Sequence, residues 1–124
     1  MQYLLLVYTD PKLLDAVPAE TFDREMKQCL QHADKLQSKG TLLGFQQLEP
    51  VQSAKCLRVR AEKNIVMDGP FAETKEVLMG FNLVEAASMA EAMKLAQELP
   101  WARYGCIEVR PVRDVAVVRQ RVGA

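Results

Sequence analysis

Apolar positions fall along this chain in two rhythms. Tyr3 to Tyr8 (YLLLVY) is an unbroken apolar run with aromatic and branched members, the pattern of a central strand covered on both faces. Asp10-Pro11 breaks it, and Pro18 suits a first helical turn. Phe22, Met26, Cys29, Leu30, Ala33 and Leu36 then recur at helical spacing, forming one stripe of an amphipathic helix that Lys39-Gly40 ends. Thr41 to Leu48 reads as a strand closed by Pro50. From Ala54 to Arg60 the chain alternates, with Cys56, Arg58 and Arg60 on one side and Leu57 and Val59 on the other. A turn at Glu62-Lys63-Asn64 and a return strand over Ile65 to Met67 complete a predicted hairpin. Gly80 to Ala86 alternates again. Ser88-Met89-Ala90-Glu91 is a capping box opening a helix that Pro100 stops. Cys106 to Arg110 is the last alternating strand, closed by Pro111. Residues 113–124, rich in valine and arginine, form a C-terminal tail with no assigned element.

With the hairpin set aside, the order is βαββαβ, so the pattern predicts an α+β, ferredoxin-like domain over residues 1–112 with an inserted β-hairpin. Two helices cover one face of such a sheet. The other face draws on Leu4 to Leu6, Leu42-Leu43 and Phe81 or its neighbours, and an open apolar sheet of that size is rarely left to water. A second copy, sheet on sheet, is the expected cover.

Composition narrows the function classes. The 124 residues carry 16 Lys plus Arg and 16 Asp plus Glu, a net charge of zero that favours neither nucleic acid nor an anionic membrane. Cys29, Cys56 and Cys106 are far apart, with no CxxC, which reads as reduced thiols in a cytoplasmic protein rather than a disulfide frame or a zinc knuckle. The first apolar run lacks a basic lead and is too short to span a bilayer. No phosphate loop, dinucleotide fingerprint or two-histidine metal spacing is present, and no cofactor is expected.

Candidate chemistry gathers in MDGPFAETKE, Met67 to Glu76. Asp68-Gly69-Pro70 is a turn signal. It admits two readings: a rigid corner whose Asp68 carboxylate is absorbed by backbone amides, or a device that aims Asp68 into a cleft. Gly69, Pro70 and Phe71 are then its scaffold. Asp68, Glu73 and Glu76 lack the spacing of a calcium loop, so no metal is expected. His32, the single histidine, falls at the edge of the long helix's apolar stripe, and its ordinary pKa of about 6.5 suits proton transfer near neutrality. A His32–Asp68 dyad would perform acid–base chemistry on a small organic molecule, with Asp68 orienting the imidazole. Lys75 and Arg110 are candidates for holding an anionic group of a substrate, and Tyr8 and Phe45 for lining a pocket, although strand aromatics are more often core.

DGPFAETKE, Gly80-Phe81, IEVRPV at Ile107 to Val112, CLQHADKLQSKGTLL in the long helix and QLEPV at Gln47 to Val51 together resemble the DGPF-type, YCII-related proteins of bacteria, from Met1 to about Val112. The resemblance implies a ferredoxin-like fold assembled as a dimeric α/β barrel, with a His and Asp pair in a cleft. His32 matches the family's helix histidine, and Asp68 is the carry-over for the acid. It also implies a non-enzymatic alternative, a ligand-binding or regulatory module linked to sigma-factor control of transcription. Met67 and Met79 depart from the family's usual small residues and add bulk beside the motif.

Overall fold

β1 (Gln2–Thr9) is the strand around which the others are arranged. The computed structural model describes residues 1–69 and 75–124. β1 pairs antiparallel with β5 (Val77–Glu85) on one side and β6 (Gly105–Pro111) on the other. β2 (Leu42–Gln47) pairs antiparallel with β5, giving a four-stranded sheet in the order β2-β5-β1-β6. β3 (Lys55–Arg60) and β4 (Lys63–Asp68) form a separate antiparallel pair between β2 and β5 in the chain. The fold is α+β with antiparallel sheets.

The apolar run in β1 divides between the two faces as strand geometry requires. Tyr3, Leu5, Val7 and Thr9 are buried, whereas Leu4, Leu6 and Tyr8 are half-buried. The buried set meets helices α2 (Ala19–Ser38) and α3 (Met89–Gln97) in a core of Tyr3, Leu5, Leu42 and Val84 packed with Ala33, Ala92 and Ala96. Alanines at the helix–sheet contact let the backbones approach. Leu5 and Val84, each 1% exposed, are the largest fully buried side chains, and each contributes roughly 1.5–3 kcal/mol by leaving water. The opposite side of the sheet sets Leu4, Leu6 and Tyr8 of β1 beside Leu83, Phe81 and Leu78 of β5.

Both long-helix ends follow from local chemistry. Gly40 at φ 77° closes α2, its N–H bonding to Gln37 O and that of Thr41 to Leu36 O, each at 3.0 Å. Ser88 Oγ accepts the Glu91 N–H at 3.2 Å, while the Glu91 carboxylate reaches back to the Ala87 N–H at 3.1 Å.

Four features depart from the expected pattern. Asp10-Pro11 does not merely end β1. It starts α1 (Pro11–Asp15), with Asp10 Oδ1 accepting from the Lys12 N–H at 3.0 Å and Pro11 preset for the first turn. The β3–β4 turn lies at Ala61-Glu62, with φ 49° and 64°, rather than at Glu62-Lys63-Asn64. A two-residue loop of that hand matches strand twist, which here outweighs the lack of a glycine. Within the hairpin, Leu57 and Val59 form the more exposed face and Cys56 and Arg58 are half-buried. Finally, Asp114 caps and Gly123 ends a helix, α4 (Val115–Val122), in the tail.

Candidate functional site

A cavity of about 240 Å³ lies between α2 and the helix-facing side of the sheet. It exists because α2 meets the core only lightly, through Ala33 with Leu36 beside it. Ala33 is its single buried residue, while Phe22, Met26, Cys29, Leu30 and Leu36 of the stripe are half-buried or exposed. Val7, Leu42, Phe45 and Asn82 supply part of the sheet wall. One end is bounded by Phe22 and Trp101, whose rings lie 5.6 Å apart at a 42° tilt. Trp101 belongs to a 3₁₀ turn, Pro100–Tyr104, held to α2 by Tyr104, whose hydroxyl donates to the Glu25 carboxylate at 2.9 and 3.0 Å. Met26 Sδ accepts from Gln47 Nε2 at 3.2 Å, tying α2 to β2.

His32 is the histidine of this cavity. Its Nε2 lies 2.6 Å from Glu98 Oε2, and the two side chains are 36% and 46% exposed. Glu98 is the C-cap residue of α3, so the pair joins the two helices. A carboxylate accepting the Nε2–H leaves the lone pair of the neutral ring on Nδ1 and fixes the ring's orientation. Cys29 also lines the cavity. Burial pushes its thiol pKa up, with a hydrogen bond to Trp101 acting in the opposite direction, so the sulfur is held neutral. Thr9, another lining residue, has its Oγ1 sealed from solvent with no hydrogen-bond partner.

Of the other candidates, Tyr8 and Lys75 line a second, more open depression with Glu76, Cys106 and Glu108. Asp68 ends β4, with a side chain 89% exposed, and its ionic partner is Lys55 at 3.8 Å. Asp68 is not among the residues lining the cavity. Nor does its carboxylate take the next backbone amide, since the Gly69 N–H bonds to Ala54 O at 2.6 Å. Gly69 has the expected positive φ, 78°, and its carbonyl accepts from Cys56 Sγ at 2.9 Å. Pro70, Phe71 and Glu73 lie outside the described residues. Lys75 Nζ is 3.8 Å from Asp10 Oδ2, an exposed cation against a carboxylate side chain only 5% exposed. Tyr8 and Arg110 are on the opposite side of the sheet from the cavity, where the Tyr8 hydroxyl donates to Glu108 Oε1 at 3.5 Å and Arg110 pairs with Leu4. Phe45 does line the cavity and packs on the core. Of the candidates named from the sequence, the structure therefore brings His32 and Phe45 to one cavity. The partner of the imidazole is Glu98, a residue the sequence reading did not single out.

The described residues contain no group of three or more His, Cys, Asp or Glu placed to hold a metal ion, and no helix among them is long and apolar enough to cross a membrane. The model of the YCII-related domain matches residues 1–116. The chain belongs to the YCII-related family. An uncharacterised protein of Rhizobium meliloti (strain 1021) is 40% identical over 114 residues, covering 90% of this chain and 92% of its own. The family match over residues 1–116 spans the cavity, His32 and Glu98 together, so the YCII-related domain contains the whole candidate site.

Proposed function

We propose that this YCII-related protein is a small enzyme that moves a proton on an organic molecule bound in the α2–sheet cavity, with His32 as the acid–base group and Glu98 as the carboxylate that orients it. The observation that carries this reading is the 2.6 Å contact between His32 and Glu98 at the cavity wall. An imidazole that is both cavity-lining and 36% exposed can take a proton from a bound molecule and exchange it with water. Glu98 takes over the orienting part that the sequence reading gave to Asp68. Asp68 is left to the hairpin, where its ion pair with Lys55 is too exposed to contribute much energy.

The strand order β2-β5-β1-β6 with the β3–β4 pair set aside supports a ferredoxin-like unit. Its half-buried apolar side supports a sheet-on-sheet homodimer, the dimeric α/β barrel of DGPF-type bacterial relatives. Three free cysteines support a reducing, cytoplasmic setting.

The reading is tested by following loss of the methyl hydrogens of acetophenone in heavy water by proton NMR. Wild-type protein should accelerate the exchange, His32→Gln should lose roughly a hundredfold or more of that acceleration, and Glu98→Gln should lose less. If wild type gives no acceleration, the proton-transfer reading is wrong. The ligand-binding or regulatory module, favoured by the largely apolar cavity wall, then stands in its place.

A further inference from the structure

The floor of the cavity carries one polar side chain whose presence the fold does not explain. Asn82 of β5 pairs with Leu5 of β1 and with Phe45 of β2. Leu5 is 1% exposed and Phe45 packs on the core, so the register places Asn82 on the helix-facing side of the sheet as well. Its neighbours along that face are apolar, Val84 among them. Asparagine is a poor strand former, and an amide at such a position costs free energy unless it is hydrogen-bonded. Among the described residues its side chain makes no hydrogen bond. It is half-buried and opens on the cavity rather than being sealed. Of the other polar groups nearby, Gln47 Nε2 bonds to Met26 and His32 Nε2 to Glu98, Gln46 is exposed, and Thr9 Oγ1 is sealed from solvent without a partner.

Charge and size limit what Asn82 could meet. Among the described residues no Asp, Glu, Lys or Arg lines the cavity, and Cys29 is held neutral. An ammonium group buried there would meet no carboxylate of the lining, and a phosphate or carboxylate only the His32 imidazole, already bonded to Glu98. An apolar cavity of roughly 150 Å³ accommodates benzene, so about 240 Å³ suits a body of about ten non-hydrogen atoms. That is too small for a nucleotide or a coenzyme. An amide offers both a donor and an acceptor, which suits a carbonyl or a hydroxyl oxygen.

We infer that the cavity selects an uncharged, apolar-bodied molecule of about ten non-hydrogen atoms bearing one carbonyl or hydroxyl oxygen, and that Asn82 is the residue that reads that oxygen. This rests on the cavity being the functional site, as proposed above, and adds the class of molecule it takes. A site built to bond an oxygen discriminates strongly against the analogue lacking it, because its own polar group is then left unpaired.

Three probes of one shape test it: acetophenone, α-methylstyrene with a methylene in place of the oxygen, and benzoate with a charge. Binding to the full chain is followed by ¹H–¹⁵N NMR titration, with the Asn82 side-chain amide as reporter. Acetophenone should shift that amide and bind at least tenfold more tightly than α-methylstyrene, and benzoate should bind more weakly than either. Asn82→Leu, close in volume, should abolish or reverse the preference for the ketone. Equal binding of ketone and alkene by wild type, tighter binding of benzoate, or an unchanged ketone preference in Asn82→Leu each overturns the assignment. Failure of all three probes to bind overturns the cavity as the site and the proposed function with it. Ketone selectivity without proton exchange upholds the Asn82 assignment and removes only the catalytic reading.

Discussion

Thr9 Oγ1 is a hydroxyl taken out of water with nothing to bond. Its replacement by a methyl group of the same shape should relieve that cost, so Thr9→Val is expected to stabilise the fold by about 1–2 kcal/mol in urea unfolding. Gly105 next to it is required by space. A Cβ there would run into the Tyr8 carbonyl and lie 2.7 Å from Thr9 Cα. Gly105→Ala should therefore destabilise by about 1–3 kcal/mol or more, read the same way. At this scale the sequence revealed whatever depends on a residue's own chemistry. His32 stood out as the one histidine, and Gly69 as a residue needing positive φ. Glu98 was not legible because its partner is 66 positions away. The signal that could have marked it is local: an acid at a helix C-terminus opposes the helix dipole, which leaves the residue needing another reason to be there.

At the scale of elements, the 3₁₀ turn over Pro100–Tyr104 is fastened to α2 through Tyr104 and Glu25. The hydrogen bond to the Glu25 carboxylate, with burial adding to it, raises the Tyr104 pKa above the usual phenol value. Because the folded value exceeds the unfolded one, the phenol's contribution is complete below about pH 10 and is lost as pH rises through the folded value. The stability difference between wild type and Tyr104→Phe should be constant from about pH 7 to 9 and shrink above 10, as measured by urea unfolding. The hairpin turn offers a second test. Two non-glycine residues at positive φ are strained, so Ala61→Asn with Glu62→Gly should slow amide exchange at Arg58 and Ile65, equivalent to about 1–2 kcal/mol. The long helices were readable because a stripe and a cap agree over several turns. α1 and α4, of 5 and 8 residues, are too short to show a stripe, and only their caps, Asp10 and Asp114, could have announced them.

At the scale of the whole molecule, β1 lies between the last two strands, β5 and β6, and Leu4 and Leu6 alone of the Leu4 to Leu6 run fall on the side away from the helices. If a second copy covers that side, Leu6→Arg should convert a dimer to a folded monomer in sedimentation velocity at micromolar concentration, because an unpaired guanidinium is costly to bury. What the sequence could not convey was the stand-off of α2. An apolar stripe tells which way a helix faces but not how closely it approaches, and the cavity is set by that distance. The insertion between β2 and β5 has a different consequence. The Leu48 N–H already bonds to Met79 O at 2.8 Å, so the two strands are joined on either side of residues 49–76. Closing a loop costs only as the logarithm of its length, and the core cluster draws no member from the described residues of that stretch. A chain in which a short turn replaces it should keep the four-stranded sheet. Asp68 and Gly69 lie in that stretch, so any part they play must be sought outside the four-stranded sheet.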